Sequence, residues 1–558
     1  MFEFNNLTVA YFSMEIGIMP DIPTYSGGLG VLAGDTLRSL ADLKIPVVGI
    51  TLLYKKGYFK QEIDSQGNQI ESEVEWDPYA FLQSMPQETE VSIEGRRVRV
   101  KAWLYNLMGI TGHINPIIFL DTDVPGNDER DREISHHLYG HDDKYRLAQE
   151  IVLGMGGVRM LESLGCTGIK KYHMNEGHSA LLTLELYHKL SDQKYPIDEV
   201  RKRCVFTTHT PVPAGHDQFP KEMAEQMLGE MIDSRMRKEA FFNDKLNMTY
   251  LGLRFSEFVN GVAKKHGEVS RTMFPGYQIE SITNGVHSHY WTAEPMRRLF
   301  SQYLPGWEND PFSLRYVLGV PKDDVWRAHQ KAKEALIRFV NKQCKAGMNK
   351  EIFTIGFARR AATYKRGDML FTDVDRLLKI AEKCKGIQII YAGKAHPRDT
   401  EGKELIKRII AKMKEVSHKI KVCYLKNYDM AIAKLLVSGV DIWLNTPQRP
   451  QEASGTSGMK AAHNGVLHFS VLDGWWLEGH IENVTGWSIG VHPEVSKENI
   501  HEEDVKDMYN KLEYIIIPRF YDERDKWVEM MKHAIAINGS FFNTHRMVQQ
   551  YVSNAYFK

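Results

Sequence analysis

Among 558 residues there are only five cysteines, Cys166, Cys204, Cys344, Cys384 and Cys423. They are odd in number, widely scattered and without a CxxC pair. That argues against a disulfide framework or a zinc site and fits a reducing cytoplasm. Net charge is also missing: Lys and Arg number 71, Asp and Glu 71, so the formal balance is +0. A chain with no basic excess has no electrostatic footprint for nucleic acid or an anionic membrane. No apolar run approaches the length that spans a bilayer. The opening Met1-Phe2-Glu3-Phe4-Asn5-Asn6 has neither a basic segment nor a long apolar core, so no signal peptide is expected. What is present is ordinary, 43% hydrophobic and 25% charged residues, over a length that suits two domains or more.

The chemistry concentrates in Glu452-Ala453-Ser454-Gly455-Thr456-Ser457-Gly458-Met459-Lys460, between an apolar run ending at Leu444 and the helix formers Ala461 and Ala462. Strand, glycine-rich loop, helix is the order of an anion cradle: glycines permit the tight turn, and free amides at the helix start point at negative charge. Ser454, Thr456 and Ser457 add hydroxyl donors. Lys460 sits among apolar neighbours whose desolvation favours the neutral amine, which suits a nucleophilic or Schiff-base lysine. A second cluster, Arg359-Arg360-Ala361-Ala362-Thr363-Tyr364-Lys365-Arg366, puts four cations in eight residues directly after an expected strand. Two phosphate groups can lie near each other only among several positive charges. Arginine offers bidentate recognition and lysine a compact charge.

Earlier in the chain, residues 7–14 read as a strand, followed by Tyr25-Ser26-Gly27-Gly28-Leu29-Gly30, a helical pattern and a second apolar run over 45–54: one βαβ unit. Gly27 and Gly28 let backbone amides approach an anion. Residues 62–115 read as β-rich with a hairpin at Glu94-Gly95, 121–144 as a loop, and 145–164 as an amphipathic helix. Asn175-Glu176-Gly177-His178 and Thr208-His209-Thr210 each set a histidine where a strand ends, the edge that carries ligands in open α/β sheets. Residues 293–350 are mostly helical. The second half then restarts an α/β rhythm, with strands over 351–357, 387–392, 421–425, 440–444 and 466–471 whose composition suits a buried parallel sheet. Trp475 and Trp476 read as core, or as a platform on which a carbohydrate stacks.

These strings, in this order, resemble the α-glucan phosphorylases (glycogen, starch and maltodextrin phosphorylases). The likeness implies an α/β fold of GT-B type, two Rossmann-like domains (1–292 and 293–558) facing a central cleft, with a C-terminal helix crossing back. It implies a short form without the N-terminal regulatory extension, constitutively active. In that family the lysine of Glu-Ala-Ser-Gly-Thr-x-x-Met-Lys carries pyridoxal 5′-phosphate, and Lys460 holds that place. The resemblance assigns Arg360 and Lys365 to the substrate phosphate, and Arg359 and Tyr428 to the neighbourhood of the cofactor phosphate. It has Gly28 and Thr456 donate hydrogen bonds, with Ser457 and Trp291 beside the cofactor. Glu452, Ser454 and Gly455 would hold sugar hydroxyls, His209 and Asn284 would orient the ring, and Glu176 and His178 match a sugar-side motif. The chain departs from the family at Glu176 (usually aspartate), Ala362 (often histidine) and Asp429 (arginine in the large members). The implied reaction is reversible, retaining phosphorolysis of an α-1,4-glucan to α-glucose 1-phosphate, the cofactor phosphate shuttling a proton. The implied partners are the glucan and inorganic phosphate, with no nucleic acid, no membrane and no metal, and a homo-oligomer is left open. The competing readings are a nucleotide-sugar glycosyltransferase of the same fold, like a glycogen synthase, and a non-catalytic glucan binder.

Overall fold

The computed structural model describes residues 4–140, 142–492 and 500–557, so the first three residues of the opening segment fall outside it. The chain divides into two units: Met1–Phe59, Glu73–Thr283 and Met547–Lys558 form one, Lys60–Ser72 and Asn284–Arg546 the other. Both carry doubly wound sheets of the α/β class expected from the sequence. Among the described residues no helix is long and apolar enough to cross a membrane.

The sheet of the first unit runs Glu280–Ser281, Phe258–Gly261, Cys204–Thr207, Lys171–Asn175, Val9–Ser13, Val47–Leu52, Ile114–Asp121, Arg96–Met108, Gln83–Ile93. The last two strands pair antiparallel and the others parallel. Val9–Ser13 and Val47–Leu52 are buried at every residue, the pattern of strands covered on both faces. Helix Gly28–Asp42 joins them. Chain order reverses between Val9–Ser13 and Lys171–Asn175, so their C-terminal ends form a topological switch point, where such sheets bind ligands. The hairpin turn lies at Glu94 (φ 51°) and Gly95 (φ 75°), two left-handed residues that match the twist of the flanking strands. The last helical segment belongs to this unit because Tyr556 Oη lies 2.6 Å from His173 Nδ1 and Asn260 Nδ2 donates to Tyr551 Oη at 2.9 Å.

In the second unit the order is Lys421–Leu425, Ile387–Ala392, Phe353–Ala358, Ile442–Asn445, Leu467–Val471, Gly486–Ile489, all parallel. Numbered along the chain this is 3-2-1-4-5-6, and the switch point falls between Phe353–Ala358 and Ile442–Asn445. Buried Asp441 anchors the start of Ile442–Asn445 to helix Lys322–Cys344, accepting from Lys333 Nζ at 2.5 Å and from Thr354 N at 2.7 Å. The hairpin Lys60–Ile63/Gln69–Ser72 joins this unit through its glutamines: Gln61 Nε2 donates to Gly393 O at 2.8 Å and Gln69 Nε2 to Ala395 O at 2.9 Å.

Two expectations are corrected. Asn284 and Trp291 belong to the second unit, not to a domain ending at 292. Arg546 Nη2 donates to Asn284 O and Asn464 Nδ2 to Trp291 O, both at 2.9 Å. Cys344 and Cys423, expected to be free, form a disulfide with Cα atoms 6.1 Å apart. They lie 79 residues apart in sequence, and only the packing of helix Lys322–Cys344 against strand Lys421–Leu425 brings them together. Closing a loop of that length restricts the unfolded chain by about 4 kcal/mol. Reducing the bond, or making Cys344→Ser, is expected to lower the unfolding free energy of the chain by that order and so its urea midpoint, and unchanged unfolding curves with and without reductant would contradict it.

Candidate active site

Three neighbouring strands of the second unit, Phe353–Ala358, Ile442–Asn445 and Leu467–Val471, send their C-terminal loops to one edge. The basic turn follows the first of these. Arg359 Nη2 and Lys365 Nζ both donate to Glu452 Oε2, each at 2.5 Å. Glu452 belongs to the loop after the second strand, and the two loops are stitched again where Thr446 Oγ1 donates to Lys365 O and Arg366 Nε to Thr446 O, both at 2.9 Å. Burial opposes the charge on Glu452, yet Arg359 and Lys365 hold its carboxyl down at about 2. Arg359, Arg360 and Lys365 line one cavity. Arg359 Nε and Nη1 are buried without a hydrogen-bond partner, a state that costs free energy until an acceptor arrives.

The loop after the third strand supports the Glu452 loop. Asp473 accepts from Glu452 N and from Gly474 N at 2.9 Å each, and Trp475 N donates to Ser454 O at 2.9 Å. Burial pushes the Asp473 carboxyl up to about 7. Gly474 has φ +55°, and a Cβ there would lie 2.2 Å from Ser454 O. Gly455 is also left-handed, at φ 70°. Asp473 and Gly474 are site residues that the sequence reading missed. Gly474→Ala is expected to displace the 452–455 loop and lower kcat/KM by about a hundredfold, with the circular dichroism spectrum retained. Wild-type kinetics in that variant would contradict the support role.

Lys460 lies in helix Ser457–His463, is 7% exposed, and sets its ammonium 3.9 Å from the centroid of the Trp291 ring. This is a cation–π contact in a desolvated setting. The helix is docked onto the Trp291 segment by Ala293 N donating to Asn464 Oδ1 at 2.7 Å and by His463 Nε2, 2.9 Å from Ser288 Oγ. Ser457 Oγ accepts from Trp443 Nε1 at 2.9 Å, which braces the helix start against the sheet and leaves the hydroxyl proton to donate. Thr456 is the helix cap residue but makes no side-chain cap bond, and Ser454 Oγ donates to Gly455 O at 3.1 Å. Asn284 is 4% exposed, with its Oδ1 buried and unpartnered. Tyr428 follows Lys421–Leu425, and burial raises its phenol above the usual range. Asp429 caps helix Met430–Gly439, accepting from Ile432 N at 2.8 Å. Trp475 and Trp476 are buried core.

The remaining predicted residues sit at the switch-point edge of the first unit. Asn175 Oδ1 lies 2.7 Å from His209 Nε2, and burial lowers His209 to about 3, leaving a neutral ring at neutral pH. Glu176 has φ 74°, a conformation rare for a residue with a Cβ. Its carboxylate accepts from His209 N at 2.6 Å, Thr210 Oγ1 at 3.0 Å and its neighbour Gly177 N at 3.0 Å. Burial raises that carboxyl to about 7. The longer side chain thus folds back on the loop that carries His209. His178, lowered to about 3 by burial, has Nε2 3.6 Å from Asp217 Oδ2 and an unpartnered buried Nδ1. Gly28 is exposed with open space where a Cβ would stand. The Gly27 amide is not available to a ligand: it donates to Glu15 Oε2 at 3.1 Å, as Ser26 N does at 2.5 Å.

The family model described as carbohydrate phosphorylase matches residues 20–105 and 230–501. The chain is 40% identical to a maltodextrin phosphorylase of Thermococcus litoralis, over 99% of this chain and 70% of that protein. It is 36% identical to a glycogen phosphorylase of Mycobacterium tuberculosis, over 98% and 70%, and 36% identical to one of Aquifex aeolicus, over 99% and 86%. Family match, near full-length similarity and the geometry of the Lys460 edge agree: the chain belongs to the carbohydrate phosphorylase family.

Proposed function

We propose that this chain is an α-1,4-glucan phosphorylase, a glucosyl-transferring enzyme that cleaves the terminal unit of a maltodextrin or glycogen chain with phosphate and releases α-D-glucose 1-phosphate. The observation that carries this is the pairing of Arg359 and Lys365 on one oxygen of Glu452, beside the Lys460 loop, at the switch point of the second unit. A site that holds two cations on an internal carboxylate is built for an anion. Likeness to named maltodextrin and glycogen phosphorylases favours this over the nucleotide-sugar reading.

The residues present fit pyridoxal 5′-phosphate. Lys460 is a buried amine over an aromatic face, and Arg359 has two buried donors without acceptors. Lys460 would hold the group covalently, Trp291 would flank its ring, and Arg359 would take its phosphate. Asp429 does not fit that phosphate, being an anion committed to a helix cap. When bound, the cofactor supplies a phosphate with a pKa near 6, suited to exchanging a proton with the substrate phosphate at neutral pH.

The other steps belong to the chain. Lys365 and Arg360 bind the substrate phosphate and stabilise the charge that develops as the glycosidic bond breaks. An anion arriving at Lys365 replaces Glu452 as its counter-charge, and the released carboxylate accepts from a sugar hydroxyl. Ser454 and Gly455 contribute further sugar contacts, and Thr456 and the Gly28 amide donate hydrogen bonds. Asn284 offers its unpartnered amide oxygen to a sugar hydroxyl. His209, neutral and fixed by Asn175, orients the ring through hydrogen bonding, with Glu176 and His178 behind it. The test is to incubate pure protein with maltoheptaose and phosphate, with and without added pyridoxal phosphate, and to assay glucose 1-phosphate. Product formation that needs both phosphate and the cofactor is expected. No product under either condition overturns the proposal.

A further inference from the structure

Glu15 follows strand Val9–Ser13 and is 2% exposed. One of its oxygens, Oε2, accepts from Ser26 N at 2.5 Å and Gly27 N at 3.1 Å. The other, Oε1, accepts from Tyr139 Oη at 2.7 Å. A single buried carboxylate therefore joins the glycine-rich turn to the segment over 136–140. Gly30, the last glycine of the turn motif, has no left-handed φ to explain it. A Cβ there would lie 2.7 Å from Glu15 Oε2 and 2.8 Å from Tyr25 Cβ, so the glycine makes room for this carboxylate and for the Tyr25 side chain. Tyr139 is fixed in turn: it is left-handed at φ 57°, and the Arg146 guanidinium stacks 4.6 Å from its ring centroid. Arg146 Nη2 donates to Asp217 Oδ2 at 2.8 Å, and that same oxygen lies 3.6 Å from His178 Nε2. The contacts run unbroken, all within the first unit, from the glycine turn to His178.

We propose that Glu15 is a positioning residue: its carboxylate fixes the Ser26–Gly27 amides so that the exposed Gly28 end of the turn is presented to phosphate, and Tyr139, held under Arg146, fixes the other oxygen of that carboxylate. This rests on the phosphorolysis reading. Ser26 and Gly27 are not phosphate ligands here; their amides are spent on Glu15, and a charge-assisted bond is stronger than a neutral one. Glu15→Gln puts an amide where an acceptor was, and Tyr139→Phe removes only the Oη bond.

Amide hydrogen exchange and kinetics test this together. Glu15→Gln is expected to speed exchange at Ser26 and Gly27 about tenfold, and Tyr139→Phe to speed it both there and over 136–140. In the phosphorolysis assay both variants raise the KM for phosphate about tenfold, with kcat and the KM for glucan within about twofold. Unchanged exchange at Ser26 and Gly27 in Tyr139→Phe overturns the coupling, as do equal rises in both KM values. Should Glu15→Gln fail to fold, Tyr139→Phe alone decides. A wild-type chain without phosphorolysis removes the functional reading, while the exchange data still judge the Glu15 link.

Discussion

Lys460→Ala is expected to abolish both the pyridoxal chromophore and phosphorolysis, with a loss on the order of a thousandfold or more, while leaving the fold intact. The side chain makes its contact at the Trp291 ring, and the neighbouring support comes from its own backbone, where Asn464 Nδ2 donates to Lys460 O at 2.9 Å. Alanine is the best helix former, so helix Ser457–His463 persists. Absorbance of the purified variant, a melting curve and the glucose 1-phosphate assay check this. Retained activity in a folded variant would place the chemistry elsewhere.

Glu452→Gln carries the second large effect. It leaves Arg359 and Lys365 side by side and buried without their shared counter-charge, a change that costs about 3 kcal/mol. The pH dependence agrees in sign. The Glu452 carboxyl is lowered from 4.5 to about 2 in the folded chain, so its stabilisation is fully present above 4.5 and is lost as pH falls toward 2. The variant is expected to melt lower at pH 7, to lack that acid limb, and to recover more stability than the wild type when phosphate is added. An equal response to phosphate in both would mean that Glu452 and phosphate do not share these cations.

The parts of the fold that were legible in the sequence are those written in local pattern. Apolar, β-branched runs announced the strands at 353–358, 387–392 and 421–425 to within two residues. Glu94-Gly95 announced its hairpin, and the glycine loop and basic turn announced the Lys460 edge. What was not legible depends on pairs that only folding brings together. Asp473 lies 21 residues from Glu452, and nothing in either string signals that one holds the amide of the other. The Glu452 carboxylate read as a sugar ligand, and nothing in its string signals the two cations, Arg359 and Lys365, that it also holds. Gly27 read as an amide free for anions, whereas Glu15, twelve residues earlier, already takes it. The Cys344–Cys423 bond escaped notice because spacing in sequence says nothing about a helix end meeting a strand.

On this reading the Lys460 loop and the 359–366 turn bring a cofactor phosphate and a substrate phosphate to one edge. Phosphorus NMR of the purified chain, titrated with inorganic phosphate, addresses it directly. One protein-bound phosphate ester per chain, shifted by added phosphate and absent from Lys460→Ala, is the predicted result. A chain that carries no bound ester after incubation with pyridoxal phosphate, or an ester signal indifferent to phosphate, would contradict it.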